Sequence, residues 1–172
     1  MIQYRKGDEV YNGRVIEVND RMIITPTPEI LLENGYTPVD VEPSQEELLK
    51  SAIQNKIGEI LAYDNSDAVN SFKLNGIPVW INREDRIGTR RAIELDIANG
   101  LTESEIWLNG FKLIVNSELA LKLLDAVGHY AYSAYNVTQS HIFAVKNLTS
   151  INEVEKYDYT KGYPQKLDLK TA

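Results

Sequence analysis

Four arginines, Arg83, Arg86, Arg90 and Arg91, crowd one short stretch of the chain. They fall in the first half of a predicted helix that opens after Asn82. Cations near a helix N-terminus oppose the helix macrodipole, so something else must favour them there. At ~100° per residue, Arg90, Arg91 and Glu94 lie inside the arc that holds Ile87, Ile97, Ala98 and Leu101. The polar arc lies elsewhere, at Asp85, Thr89, Asp96 and Asn99. Two readings stand. Arginine stems can lie along an apolar face, with an Arg90–Glu94 pair at i,i+4. Alternatively, this face meets an acidic surface on another copy or a partner protein, where arginine is enriched. Tyrosine is the second excess, with 10 residues against 3 Phe and 2 Trp. Tyr130, Tyr132 and Tyr135 cluster on one predicted helix, and Tyr157, Tyr159 and Tyr163 lie near the end. An apolar ring with a polar tip suits a protein or carbohydrate surface. The other reading of the late tyrosines is a C-terminal tail folded over the long helix. The residues expected to touch a partner are Arg83, Arg86, Arg90, Arg91, Tyr130, Tyr132, Tyr159 and Tyr163.

Other chemistries find less support. The two histidines, His129 and His141, are twelve residues apart on one predicted helix, too far at ~1.5 Å per residue to share a metal. Asp64-Asn65-Ser66-Asp67 offers oxygen ligands, but a calcium loop opening at Asp64 needs glycine at its sixth place and glutamate at its twelfth. Those places hold Val69 and Asn75, so helix termination is the expected role. No serine sits in a G-x-S-x-G elbow, and Gly-x-Gly, the start of a phosphate loop, does not occur. No acidic residue is singled out as one of a catalytic pair. No catalytic residue, metal or cofactor is expected.

A chain of 172 residues is about one domain's worth at ~150 residues per domain. It carries 18 Lys and Arg against 25 Asp and Glu, a net charge of −7, which weighs against a nucleic-acid duplex as partner. It has no cysteine, so disulfides, thiolate zinc sites and cysteine nucleophiles are excluded. No apolar run reaches the ~18 residues of a membrane span, and Met1-Ile-Gln-Tyr-Arg-Lys-Gly7 has no secretory apolar stretch. Neither nucleic acid nor membrane is expected as a partner.

Residues 1–42 read as a β-ribbon with a short helix. Asn12-Gly13 and Asn19-Asp20 are predicted hairpin turns, Thr27-Pro28 opens the helix, and Thr37–Pro43 reads as a proline-flanked linker. Residues 43–172 form the second module. Ser44 and Glu47 make a capping box for a helix to about Tyr63. Phe72–Asn82 and Ile106–Asn116 share one pattern: strand, Asn-Gly turn, strand, and an asparagine cap opening a helix. The first of those helices stops at Asn99-Gly100, and the second is the longest, from Ser117 to near Asn147. Its expected exposed side is a narrow polar stripe at Lys122, Asp125, His129, Ser133 and Asn136. Gly128 lies within it at a cost of ~1 kcal/mol against Ala, which is expected to serve close packing. Ser150 or Thr149 caps a last short helix. The fold class is α+β: short antiparallel hairpins packed on helices, one long central helix and a small N-terminal β-ribbon module.

From about Glu46 to Leu167 the chain resembles a domain-of-unknown-function family of phage and prophage genes from gut bacteria, associated with tail-fibre genes. The motifs that carry the likeness are Tyr63-Asp-Asn-Ser-Asp-Ala-Val-Asn-Ser-Phe72, Val79-Trp80-Ile81, Arg86-Ile-Gly88, Trp107, Tyr130-Ala-Tyr132, Tyr135-Asn-Val-Thr138, His141 and Glu155–Pro164. The first 42 residues look like the leader that precedes this domain. The resemblance implies no activity and no catalytic residues. It implies a setting: a phage structural protein, tail- or head-fibre associated. The expected role is a virion component or adaptor, made in the bacterial cytoplasm, that contacts other virion proteins and forms a homo-oligomer. Two alternatives stay open, a tail-fibre assembly chaperone absent from the finished particle and a glycan-active hydrolase.

Overall fold

The computed structural model describes residues 2–171. Its elements follow in the order β1 (Ile2–Lys6), β2 (Glu9–Val10), β3 (Val15–Val18), β4 (Arg21–Ile24), α1 (Pro28–Glu33), β5 (Thr37–Asp40), α2 (Gln45–Asp64), β6 (Phe72–Leu74), β7 (Ile77–Val79), α3 (Arg83–Ala98), β8 (Glu103–Leu108), β9 (Phe111–Asn116), α4 (Ser117–Lys146), α5 (Ile151–Lys156) and β10 (Asp168–Leu169). This is an α+β fold of small sheets and helices with one long helix, α4. The chain divides into two compact units, residues 1–50 and 51–172. Among the described residues no helix is long and apolar enough to cross a membrane.

In the first unit β1 pairs antiparallel with both β2 and β5. The turn from β1 to β2 is Gly7-Asp8, and β2 does not pair with β3. Asn12-Gly13 is therefore not the hairpin turn that its composition predicts. Asn12 Oδ1 instead accepts from the backbone N–H groups of Arg14 and Val15 at 2.8 and 3.1 Å, an Asx turn that redirects the chain. Asn19-Asp20 does join a hairpin, with φ of 50° and 59° at its two residues. Thr37–Asp40, expected as linker, is a strand, with Ile2 opposite Asp40 and Arg5 opposite Thr37. Pro38 is tolerated because β5 is the sheet's edge. The core here is thin: Ile16, Leu31 and Tyr36, with Tyr4, Tyr11 and Ile30 packed around them. The Tyr36 hydroxyl donates to Glu9 Oε1 at 2.6 Å, and that bond raises the hydroxyl's pKa.

In the second unit the two Asn-Gly hairpins are present. Asn75-Gly76 has φ of 53° and 83°, and Asn109-Gly110 has 46° and 84°, the positive pair that a type I′ turn demands. Each hairpin runs into a helix capped by asparagine. Asn82 Oδ1 accepts from Asp85 N at 2.8 Å, and Asn116 Oδ1 accepts from Leu119 N at 3.0 Å. Ser44 and Glu47 form the capping box of α2 reciprocally, at 2.8 Å from Ser44 N to Glu47 Oε2 and 3.2 Å from Glu47 N to Ser44 Oγ. The two hairpin-and-helix pairs share one core, with Phe72, Val79, Ile93, Ile106, Val115 and Val127 at its centre.

The C-terminal segment closes this unit. β10 adds a parallel strand to β6, a pairing across almost a hundred residues that no local pattern announces. Before it, Tyr157–Leu167 lies over α4. The Tyr157 hydroxyl meets His141 Nδ1 at 2.8 Å, and the Lys161 carbonyl meets His141 Nε2 at 2.9 Å. The Tyr163 hydroxyl meets Thr138 Oγ1 at 2.9 Å, and that fully buried threonine donates to Asp64 Oδ1 at 2.8 Å.

Ile93 is 1% exposed, at the heart of the shared core. Its truncation to Ala is expected to cost about 2–5 kcal/mol in denaturant melts. Asn116→Ala, which removes only a cap, is expected to cost about 1 kcal/mol.

Candidate functional site

The face of α3 that turns inward is not the one the apolar arc predicts. Ile93 is buried and Arg86, Thr89, Arg90 and Asp96 are half-buried beside it. Ile87, Ile97 and Leu101 stand 60, 37 and 54% exposed. Thr89 and Asp96, expected on the outer arc, turn inward. The cause is tertiary: α3 packs on α4 and β8 through a face centred near Ile93, and that choice leaves the apolar arc without a covering element.

Arg86 is the best-positioned of the four arginines. Its Nη1 donates to the Ile81 carbonyl at 2.7 Å, and its guanidinium lies 5.4 Å from the centre of the Trp80 ring. Trp80 is held in turn by edge contacts with Phe72 and Tyr130. Burial, and then the neighbouring charge of Arg83, lower the pKa of Arg86 below the ordinary arginine value. Neither Arg86 nor Arg83 has an ion-pair partner among the described residues. Arg90 differs: it pairs with Asp125 of α4 and with Glu94 at 3.5 Å, and Asp125 raises its pKa. Arg91 is exposed and reaches Glu94 at 3.7 Å. Arg90 thus ties two helices together, whereas Arg83 and Arg86 share the first turn of α3 with Glu84 and Asp85 without forming an ion pair among the described residues.

Between α3 and α4 lies a groove. At one end Arg86, Arg90, Asp125 and His129 border about 310 Å³. At the other Arg83, Arg86, Tyr132 and Tyr135 border about 490 Å³. Tyr132 and Tyr135 are 65 and 55% exposed. Gly128 lines both ends. The expectation that it serves close packing is not met, because a Cβ built there meets nothing within 4 Å. The open side of α4 is also wider than a polar stripe, since Tyr132, Tyr135 and Phe143 lie on it.

The remaining expected contact residues are placed differently. Tyr130 is a core residue, 3% exposed, and its hydroxyl donates to the Val69 carbonyl at 2.8 Å, so it has no surface to offer. Tyr159 and Tyr163 belong to the folded tail. Both rings pack on Tyr63, and Lys56 lies over Tyr159. His141 is held by that tail, and His129 borders the groove. No group of three or more His, Asp or Glu side chains suited to a metal ion occurs among the described residues.

A separate cleft of about 460 Å³ lies between Trp80 and Trp107, with Glu84 and Asp85 at its edge. Asp85 is engaged locally, accepting from Asn82 Nδ2 at 2.7 Å. Sequence reasoning did not join Gly128, His129 and Tyr135 to the arginines. Their helical spacing was visible, but the rotation that turns them toward Arg83 and Arg86 is set by long-range packing.

No protein-family model matches this chain, and no curated protein and no solved structure matches it.

Two measurements separate the structural and exposed cations. Arg86→Ala loses a stacked ring and a carbonyl bond, and about 1–2 kcal/mol of stability is expected to go with them. Arg83→Ala is expected to stay within about 0.5 kcal/mol of the wild type. Alkaline titration tests the tail. Burial raises the pKa of Tyr157 and Tyr163 above the ordinary 10.0. The folded state therefore holds these protons more tightly than the unfolded one. Their contribution is full below pH 10.0 and is lost as pH rises through the folded values. In thermal melts, Tyr163→Phe is expected to start less stable at neutral pH and to show a shallower alkaline decline.

Proposed function

We propose that this chain is a non-enzymatic virion component, a fibre-associated or adaptor protein that works by contact with other virion proteins and with copies of itself. The observation that carries the reading is the groove between α3 and α4. There Arg83 and Arg86 form no ion pair among the described residues, and Asp125, the one carboxylate that borders the groove with them, is paired with Arg90. Arginine and tyrosine are the side chains that interfaces concentrate, and Tyr132, Tyr135 and Ile87 stand exposed around these charges. The phage setting rests on the motif resemblance from Tyr63 to Pro164, and with it the virion as the place of action.

The test is mass spectrometry of purified particles from a host that produces the chain. The adaptor reading predicts the protein in finished particles at fixed stoichiometry. Presence in the lysate and absence from the particles contradicts it and favours the assembly-chaperone role.

The Trp80–Trp107 cleft favours a second reading, a glycan-active protein, because the exposed Trp107 ring, with the partly buried Trp80 and nearby carboxylates, suits sugar. Release of reducing ends from host-surface polysaccharide, lost in Glu84→Gln, would establish it. Unchanged polysaccharide after prolonged incubation would reject it.

A further inference from the structure

The charge of this chain is unevenly spread. Residues 1–50 hold ten acidic and five basic side chains, so they carry −5 of the total −7. The densest acidic run is Asp40, Glu42, Glu46 and Glu47, with no basic residue among them. Glu47 is spent on its own helix cap. Glu42 and Glu46 are exposed. Pro43 holds Glu42 away from helical geometry, so the carboxylate is carried on an extended stretch before α2 begins.

The groove between α3 and α4 has the complementary character. Arg83 and Arg86 stand in the first turn of α3 with Glu84 and Asp85, but the two arginines line this groove while the two carboxylates border the separate Trp80–Trp107 cleft. Gly128 costs α4 ~1 kcal/mol against Ala, and nothing within the chain fills the space where its Cβ would be. That space lies in the groove, between the arginines and the tyrosines. From Asp125 to Tyr135 the groove follows about 15 Å of helix at ~1.5 Å per residue. An extended strand covers that length in about four to five residues; the chain between β5 and α2 is residues 41–44, and Glu46 follows in the first turn of α2. An elongated trough with cations at its middle and rings at one end suits a peptide segment better than a small ion.

We propose, building on the adaptor reading, that the segment carrying Glu42 and Glu46 in one copy docks between Arg83 and Arg86 of a second copy. Tyr132 and Tyr135 cover it, and Gly128 gives its backbone room. Such a contact is heterologous: the donor and acceptor patches differ, so each copy can give one segment and receive another. Repetition closes a ring or extends a filament.

Sedimentation velocity of the full chain over a range of concentration and salt tests this contact. Species larger than the monomer are expected, receding as salt rises. Arg83→Glu/Arg86→Glu and Glu42→Lys/Glu46→Lys are each expected to be monomeric. Mixed in equal amounts, they are expected to assemble again, because each variant presents what the other lacks. Arg83→Glu alone leaves the Arg86 contacts intact. It is expected to weaken assembly at least tenfold with an unchanged melting profile, which covers the case in which the double variant unfolds. Gly128→Ala is expected to assemble more weakly while melting no earlier than the wild type. The contact is overturned if the wild type is monomeric throughout, if Glu42→Lys/Glu46→Lys assembles as the wild type does, if the mixture stays monomeric, or if Gly128→Ala assembles unimpaired. A monomeric chain that is nonetheless present in purified particles overturns this contact and leaves the adaptor reading standing. A chain that assembles as described but is missing from particles does the reverse.

Discussion

A guanidinium held against an indole ring, with no ion pair among the described residues, sets the character of the α3–α4 face. Arg86 is fixed by Trp80 and by the Ile81 carbonyl. Its position is therefore decided by the core and not by solvent. Taking a cation part-way out of water costs free energy that a partner charge ordinarily offsets. Here the charge of Arg83 adds to burial and lowers the pKa further. The carbonyl and the ring recover part of that cost. An incoming carboxylate would recover more, and that imbalance makes the groove receptive to anions. Arg90 shows the contrast. It meets Asp125 and Glu94 within the chain and has its charge already matched.

The scaffold around Arg86 is built from a repeated device. A type I′ Asn-Gly turn, a short return strand and an asparagine cap occur twice, and the helices that follow, α3 and α4, pack together. The device is economical because each step is local. The turn fixes strand register, the register fixes where the strand ends, and the cap satisfies the helix's free N–H groups. The side chains of both copies then fill one core. The tail locks the far half of α4 through His141 and Thr138. With that half held by its own chain, the groove beside α3 and the exposed rings of α4 are what this helix presents outward.

Most helices and both central hairpins were legible because their signals are local. Ser44 with Glu47, Asn82, Asn116 and Ser150 mark helix starts by side-chain chemistry that acts within three residues. The misreadings share one cause, which is distance along the chain. β1, β5 and β10 are strands because of partners far away in sequence, and Thr37–Asp40 therefore looked like linker. Asn12-Gly13 has hairpin chemistry, but β2 already had β1 as its partner. The rotation of α3 was misjudged because an apolar arc signals what could be buried, and packing around Ile93 decides what is. Tyr130 shows the same limit within the site. It sits two residues from the exposed Tyr132, on the opposite side of α4, and only the fold separates core from surface.

The account's central claim is that this chain acts by what its α3–α4 face binds. Cryo-electron microscopy of purified particles addresses it most directly, since it would show that face in the setting proposed for it. The account predicts the groove occupied, with carboxylates of a neighbouring chain within about 4 Å of Arg83 and Arg86. A particle in which the protein is in place and both guanidinium groups face open solvent would contradict it.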